Sequence, residues 1–426
     1  MVSEECLRLI HKKIAKGTLS EDEISLIVNE ISDDKFSETE LTAFFVSLAT
    51  NGLTEEEMIA FTKALRESGN ILRFEKHPVI TKHSIGGIPG NEVSLIIVPI
   101  IAAAGLTIPK TATHAITSPC GTLDVAEIFC PVELSPEETK RVVEKTNGCI
   151  VSGKSVGLAP AIDKMLDAVS SLRIDPKQLM VASIIAKTAA LDVDYLLMDI
   201  PTGKKAKAAH ISEAERLATV FTAVGQSINL KVECAITPGD KPVGSRLGVS
   251  LEAASLLRTL KNEEWGEKAN KSTSLAGIML ELTGKCEPGA GKELATKIIT
   301  SGKALKKLNE IVEAQGGSLD VDLSPGDSKF DVCAPVSGVV YGFDNQALTS
   351  IARVAGAPKD KQAGIELWVR RGDKVEKGQK LYTIYSSSEA RLDKAIELAQ
   401  RHDAILMERP ILKLVTPRRL DTESSL

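Results

Sequence analysis

Between Lys82 and Gly90 the chain reads Lys-His-Ser-Ile-Gly-Gly-Ile-Pro-Gly, directly after Thr81. A cation, two small hydroxyls and a run of glycines suit an anion. Glycine lets backbone N–H groups approach closely, and a helix beginning just beyond adds partial positive charge. Ser94, in the first turn of the helix predicted next, offers another hydroxyl. A tight turn needing glycine for its backbone alone would explain the glycines equally well. The Lys82-His83-Ser84 run before them turns the reading towards phosphate.

Two further loops have related chemistry. Thr113-His114-Ala115-Ile116-Thr117-Ser118-Pro119-Cys120-Gly121-Thr122 carries four hydroxyls and also follows a strand signal. An ordinary polar loop with Thr122 capping a helix fits the same residues, and capping does not exclude binding. Asp199-Ile200-Pro201-Thr202-Gly203-Lys204-Lys205-Ala206-Lys207 places three lysines after an apolar strand and a glycine turn. Such a run is usually a solvated face. Its place after a strand of the same expected sheet makes it a candidate second anion site.

Other apparent motifs fail. Gly289-Ala290-Gly291-Lys292-Glu293 lacks the hydroxyl after lysine and the preceding strand of a phosphate-binding loop. Cys120 reads as a small buried residue rather than a nucleophile. The histidines are far apart with no HExxH pattern, so no metal and no cofactor are expected.

The elements that must hold these loops fall into three groups. Over residues 1–70, Ser20…Glu23, Ser37…Glu40 and Thr54…Glu57 have capping-box spacing ahead of apolar residues at helical intervals. From Val79 onwards strands alternate with helices. The strand signals are Val79-Ile80, Ile108 to Thr111, Cys149 to Val151, Tyr195 to Ile200 and Lys231 to Ile236. Asn91 is the expected N-cap of the apolar helix ending near Gly105, and Ser212…Glu215 marks another helix. This alternation argues for a mainly parallel sheet covered on both faces. In such a sheet, loops at the carboxyl ends of strands are where ligands bind. Helical stretches at Ala161–Val169 and Gln178–Leu191 interrupt the alternation and are expected to pack on the N-terminal helices. The tail is strand-rich, with glycine turns. The expected fold is therefore α/β with three domains: an all-helical domain of 1–70 with 158–192, an α/β phosphate-binding domain of 71–157 with 193–328, and a C-terminal α+β domain of 329–426.

Composition narrows the function. Hydrophobic residues make up 43% of the 426, and the formal net charge is −5. A mildly acidic chain with 4% aromatic residues lacks the basic footprint and stacking platforms of a nucleic-acid binder. Seven scattered cysteines with no CxxC pair favour a reducing, cytoplasmic setting. The start Met-Val-Ser-Glu-Glu is not a secretion signal. The apolar run Val93 to Ile108 contains Pro99 and is too short for a membrane span.

Lys82-His83-Ser84-Ile85-Gly86-Gly87, Val93-Ser94-Leu95, Gly121-Thr122-Leu123-Asp124 and Ser183-Ile184-Ile185-Ala186-Lys187 together resemble the thymidine and pyrimidine nucleoside phosphorylase family. The resemblance covers nearly the whole chain. Pro89-Gly90-Asn91, Ile116-Thr117-Ser118 and Ile174-Asp175-Pro176 are similar to its archaeal branch, which acts on AMP. The family implies phosphorolysis: nucleoside 5′-monophosphate plus inorganic phosphate gives free base and ribose 1,5-bisphosphate, from AMP and also CMP or UMP. It implies a homodimer. By motif, Gly87, Thr113, His114, Ala115, Ile116, Thr117, Ser118, Thr122, Ser183 and Lys207 would contact AMP, Lys207 at its 5′-phosphate. Lys82, Ser84, Ser94 and Thr122 would hold the attacking phosphate. Asp175 would protonate the leaving base, with His83 as the competing acid and a helix cap before Pro176 as the alternative role for Asp175. Arg173 does not match the pyrimidine-reading arginine of bacterial members. The loop lacks the arginine that archaeal members usually carry near His114, and it has Cys120 at a place where a small residue is typical. Those members also have an extra N-terminal domain, so either a shortened form or a compact member is expected, and no large assembly with it. The rival functions are a pyrimidine nucleoside phosphorylase, a magnesium-dependent phosphoribosyltransferase and a non-enzymatic nucleotide-binding regulator.

Overall fold

The computed structural model describes residues 1–115, 118–172, 174 and 176–408. The N-terminal helices are α1 (Glu4–Ile14), α2 (Glu21–Ser32), α3 (Glu38–Asn51) and α4 (Glu55–Glu67). Ser20, Ser37 and Thr54 each accept from a backbone N–H three residues on, and the glutamates there bond back, so the three capping boxes form as spaced. Phe44, Phe45 and Phe61 fill the centre of this bundle. Lys13 and Glu57 form a buried ion pair at 2.7 Å across it.

The chain then alternates β1 (Ile80–Ser84), α5 (Ser94–Ala103), β2 (Ile108–Ala112), α6 (Thr122–Ala126), α7 (Pro136–Thr146) and β3 (Gly148–Ser152). Next come α8 (Pro160–Ala168) and α9 (Lys177–Ala189), then β4 (Tyr195–Thr202), α10 (Ile211–Ser227) and β5 (Lys231–Pro238). Ile162, Met165 and Ile185 of α8 and α9 share the core of the N-terminal helices. Gln178 bolts α9 to the turn before α4, accepting from the Leu53 N–H at 2.8 Å and donating to its carbonyl at 2.7 Å.

β1, β4 and β5 pair in parallel in the order β1-β4-β5, and β2 pairs in parallel with β3. A parallel bridge between Val79 and Thr107 joins the two pieces, giving the order β3-β2-β1-β4-β5. Strand order therefore reverses beside β1, the place where a doubly wound sheet opens a crevice at its carboxyl edge. α5 is buried on every side, so the apolar run is a core helix. Among the described residues no helix is long and apolar enough to cross a membrane.

Several sequence expectations shift. Asn91 does not cap α5, which starts at Ser94 behind Val93 without a side-chain cap. Asn91 is buried, and its amide is drawn to a buried carboxylate described below. Ser212 does not cap α10, which begins earlier at Ile211. Gly121 is the N-cap of α6, and Thr122 is its first residue. The tail carries helices beside its strands, as the expected α+β class requires, and the stretch before it is helical too. These helices are α11 (Val249–Leu260), α12 (Glu267–Leu282), α13 (Gly291–Thr300) and α14 (Lys303–Ala314). The apparent phosphate-loop fragment opens α13. A Cβ at Gly291 would lie 2.1 Å from the Gly277 carbonyl, so its glycines serve a close helix crossing.

The short strand β6 (Arg246–Leu247) precedes α11. The C-terminal part contains β7 (Ser328–Cys333), β8 (Gly338–Phe343), α15 (Asn345–Ala355), β9 (Gly364–Leu367), β10 (Lys374–Val375), β11 (Lys380–Ser386), α16 (Glu389–Arg401) and β12 (Ile405–Glu408). Its sheets are β6-β9-β11-β7 and β10-β8-β12. β6 thus belongs to a C-terminal sheet although it lies before α11, and Arg246 pins it there on Glu366 at 2.9 Å. The expected class, helical bundle plus parallel α/β plus α+β, describes the molecule.

Candidate active site

The floor of the crevice is a buried carboxylate surrounded by cations. Asp199 of β4 is fully buried and sits in register with Ser84 of β1. Lys82 approaches it at 3.5 Å and Lys271 of α12 at 3.0 Å. Thr237 of β5 donates to it at 2.6 Å, and Asn91 donates at 3.2 Å. Burial by itself would raise the Asp199 carboxyl, but Lys82, Lys271 and Thr237 outweigh it and hold the group down to about 2. Two buried ammonium groups face one carboxylate. Lys110 of β2 lies close by, and burial beside Lys82 pushes it down to about 7. Buried charge needs partners, so this excess of positive charge favours an incoming anion.

Lys82, His83 and Ser84 were expected in a loop and instead form the end of β1, because pairing with β4 continues to Ser84. The Ser84 hydroxyl accepts from the Gly86 N–H at 3.3 Å and the Asn91 amide at 3.4 Å. Gly86 and Gly87 have φ of 78° and 88°, which require glycine. His83 has a buried Nε2 with no protein partner. Burial, and then Lys110, Lys82 and Lys187, hold its pKa well below the ordinary histidine value, so it is neutral at working pH. That disfavours His83 as a protonated acid. Ser94 opens α5 and is buried.

Asp124 ties the loop after β2, accepting from the Ala115 N–H at 2.8 Å and the Gly121 N–H at 2.7 Å. Thr113 and Ala115 lie on that loop, and exposed His114 turns to Glu127 at 2.7 Å. Ser118 donates to the Cys120 carbonyl at 2.7 Å, and its own carbonyl accepts from Arg353 of α15 at 3.0 Å. Ile116 and Thr117 lie outside the described residues, as do Arg173 and Asp175. Thr122 donates to Glu92 at 2.5 Å, so its hydroxyl faces the phosphate loop instead of capping α6. The buried Cys120 thiol donates to Glu252 of α11 at 3.0 Å, and burial pushes its pKa well above the ordinary thiol value, which leaves it a poor nucleophile.

After β4 the lysines diverge. Lys205 pairs with Asp344 of the C-terminal part. Lys207 runs alongside Gly87, where a Cβ would meet its Cγ at 3.6 Å, and its Nζ lies 3.9 Å from the Met180 sulfur of α9. Ser183 is partly buried on the same helix, and Lys187 one turn on pairs with Asp163 at 2.5 Å. His114, Asp124 and Glu127 have ligand atoms within 4.8 Å of one another, but the inward Asp124 oxygen is already taken by two N–H groups.

Family models match in three consecutive stretches. These are a glycosyl transferase family helical bundle domain at residues 7–69, a glycosyl transferase family a/b domain at 76–305 and a pyrimidine nucleoside phosphorylase C-terminal domain at 339–405. The AMP phosphorylase of Thermococcus kodakarensis is 46% identical over 356 residues, covering 83% of this chain and 71% of that one. The AMP phosphorylases of Pyrococcus furiosus and Methanosarcina barkeri are 47% and 43% identical, over 83% of this chain and 71% of each. The chain belongs to the AMP phosphorylases of the pyrimidine nucleoside phosphorylase family. A solved anthranilate phosphoribosyltransferase from Thermus thermophilus shares the fold. Its TM-score is 0.61 at 19% identity, over 72% of this chain and 99% of that one.

In this AMP phosphorylase family member the sequence reading assigned Lys82, Ser84, Gly87, Thr122 and Lys207, and the fold gathers their elements at one sheet edge. It gave no role to Lys271 or Glu92, took Asp199 only as the start of the lysine run, and read Asn91 as a cap and part of the family motif. Nothing in the local sequence marks Lys271, whose approach to Asp199 depends on the packing of α12 against β4.

Proposed function

We propose that this protein catalyses the phosphorolysis of AMP, and of CMP and UMP where the base pocket admits them. Inorganic phosphate attacks C1′ of the ribose, the C1′–N bond to the base breaks, and ribose 1,5-bisphosphate and free base result. The reading is carried by one arrangement: a surplus of buried cations at the end of β1, with Lys207 against Gly87 on the same loop. Lys82, Ser84, Ser94 and Thr122 hold the attacking phosphate. Fixing it at C1′ replaces an encounter in water, which is worth about 7–11 kcal/mol in favourable cases. Gly87, the loop 113–118, Thr122 and Ser183 hold the nucleoside, and Lys207 pairs with the 5′-phosphate.

Cationic character develops on the sugar as the base leaves, and a proton must reach the base. Asp175 takes that role in this reading, through its match to the family motif. The neutral state of His83 supports the choice, because His83 then has a ring N–H to offer but no imidazolium proton. A general acid of this kind contributes about 10²–10⁴-fold.

The seven cysteines are free thiols, which supports a reducing cytoplasm, and the family supports a homodimer. The shared core of α1–α4 with α8 and α9 supports a helical domain of 1–70 with 158–192, leaving 71–157 with 193–328 and 329–426 as the other two. The C-terminal match keeps a pyrimidine nucleoside phosphorylase as the second reading. The test is phosphate-dependent release of base from AMP, CMP, UMP and thymidine, with EDTA present. AMP should be consumed and ribose 1,5-bisphosphate formed without added metal. Turnover of thymidine but of no nucleotide would overturn the assignment.

A further inference from the structure

Thr122 stands between two groups that both want its one proton. Its hydroxyl donates to Glu92 at 2.5 Å, while the proposed function needs that hydroxyl to donate to phosphate. A hydroxyl has one O–H, and both an ionised carboxylate and a phosphate dianion only accept. With Glu92 charged, the anion would meet Thr122 lone pairs, with a second negative charge just behind them. From these contacts we infer that Glu92 is a positioning residue for the phosphate site: it takes up and keeps one proton when a dianion binds, its carboxyl O–H then donates a hydrogen bond to the Thr122 oxygen, and the Thr122 O–H is released to the dianion. The proton comes from solvent, and no other bond changes. The inference rests on the reading of Lys82, Ser84 and Thr122 as the phosphate site.

The surroundings of Glu92 favour this exchange. Buried Glu252 of α11 carries like charge, and it is itself tied up by Cys120 at 3.0 Å and Lys268 of α12 at 3.4 Å. Lys268, and Lys82 of β1, pull the other way, as does the Thr122 hydrogen bond. Burial and then Glu252 outweigh them and bring the Glu92 carboxyl up to about 7. A nearby dianion adds like charge and raises it further. The proton is therefore available at small cost near neutrality. Lys110, also brought down to about 7, is the rival proton acceptor at this floor.

Sulfate separates the possibilities, because it remains a dianion where phosphate titrates. Calorimetry of sulfate binding to the full chain, in two buffers of different ionisation heat, counts protons taken up. At about pH 8 the wild-type protein should take up close to one proton per sulfate. Its sulfate dissociation constant should rise towards tenfold per pH unit above the Glu92 midpoint. Glu92→Gln keeps the size and an acceptor oxygen, and it should take up no proton and bind sulfate with a flat profile. Sulfate that competes with phosphate but binds without proton uptake overturns the Glu92 inference alone. Uptake that persists in Glu92→Gln does so too, and assigns the proton to Lys110. Sulfate that does not compete with phosphate overturns the site reading and the inference with it.

Discussion

The two ends of the cleft are built by opposite means. The proposed phosphate end lies on strands, with Lys82, Asp199 and Thr237 from β1, β4 and β5 joined by buried charge. The nucleotide end lies on loops, and surface contacts from the C-terminal part steady them. Asp344 holds Lys205, Arg353 reaches the Ser118 carbonyl and Arg371 pairs with Asp240 at 3.2 Å. Buried pairs are stiff, and breaking one is costly. Exposed pairs are weak and easily screened. In the proposed function one end would therefore offer a fixed anchor for a small ion common to every turnover, and the other an adjustable grip for the larger substrate.

Substitutions should expose this asymmetry. Asp175→Asn should lower kcat by about 10²–10⁴-fold, whereas His83→Gln should leave most of kcat; steady-state assays on AMP decide between them, and the reverse order would move the acid to His83. Lys82→Met removes one partner of a buried pair, which typically costs about 3–5 kcal/mol. It should lower both the melting temperature and the affinity for phosphate, and unchanged phosphate KM in a folded variant would break the comparison. Lys207→Ala should raise the AMP KM by about 10–100-fold, the loss of one charge-assisted contact, with little effect on nucleosides. Equal losses on both would remove Lys207 from the 5′-phosphate. Asp344→Ala should raise the AMP KM only about 2–5-fold, an effect that fades in high salt as exposed pairs do.

Acid titration gives a further check on the buried end. The Asp199 carboxyl is lowered from 3.8 to about 2 in the fold, so the folded state binds fewer protons there than the unfolded chain. Its stabilisation is complete above 3.8 and is lost as pH falls towards 2. The stabilities of wild type and Asp199→Asn, from chemical denaturation, should therefore keep a constant separation above about pH 4 and draw together between about pH 4 and about pH 2. Parallel curves across that range would mean the carboxylate is not held by its lysines.

Helix starts at Ser20, Ser37 and Thr54 were legible in the sequence because capping is local, settled within four residues. The β1 loop was legible because glycine at positive φ next to a cation is a local pattern too. The extent of β1 was not, since pairing with β4 decided it from more than a hundred residues away. Asn91 and Cys120 each answered to a buried carboxylate supplied by a distant segment, Asp199 in one case and Glu252 in the other.

Residue types and their short spacings were enough to define the three-part fold class and the family likeness, and they supplied the proposed phosphate site at the end of β1. The charge states needed the folded molecule: Asp199 ionised between two lysines, His83 held down by burial and its lysine neighbours, and Glu92 raised by burial and by Glu252. Those depend on burial and on the distance to charges from other segments, and one-dimensional order carries neither.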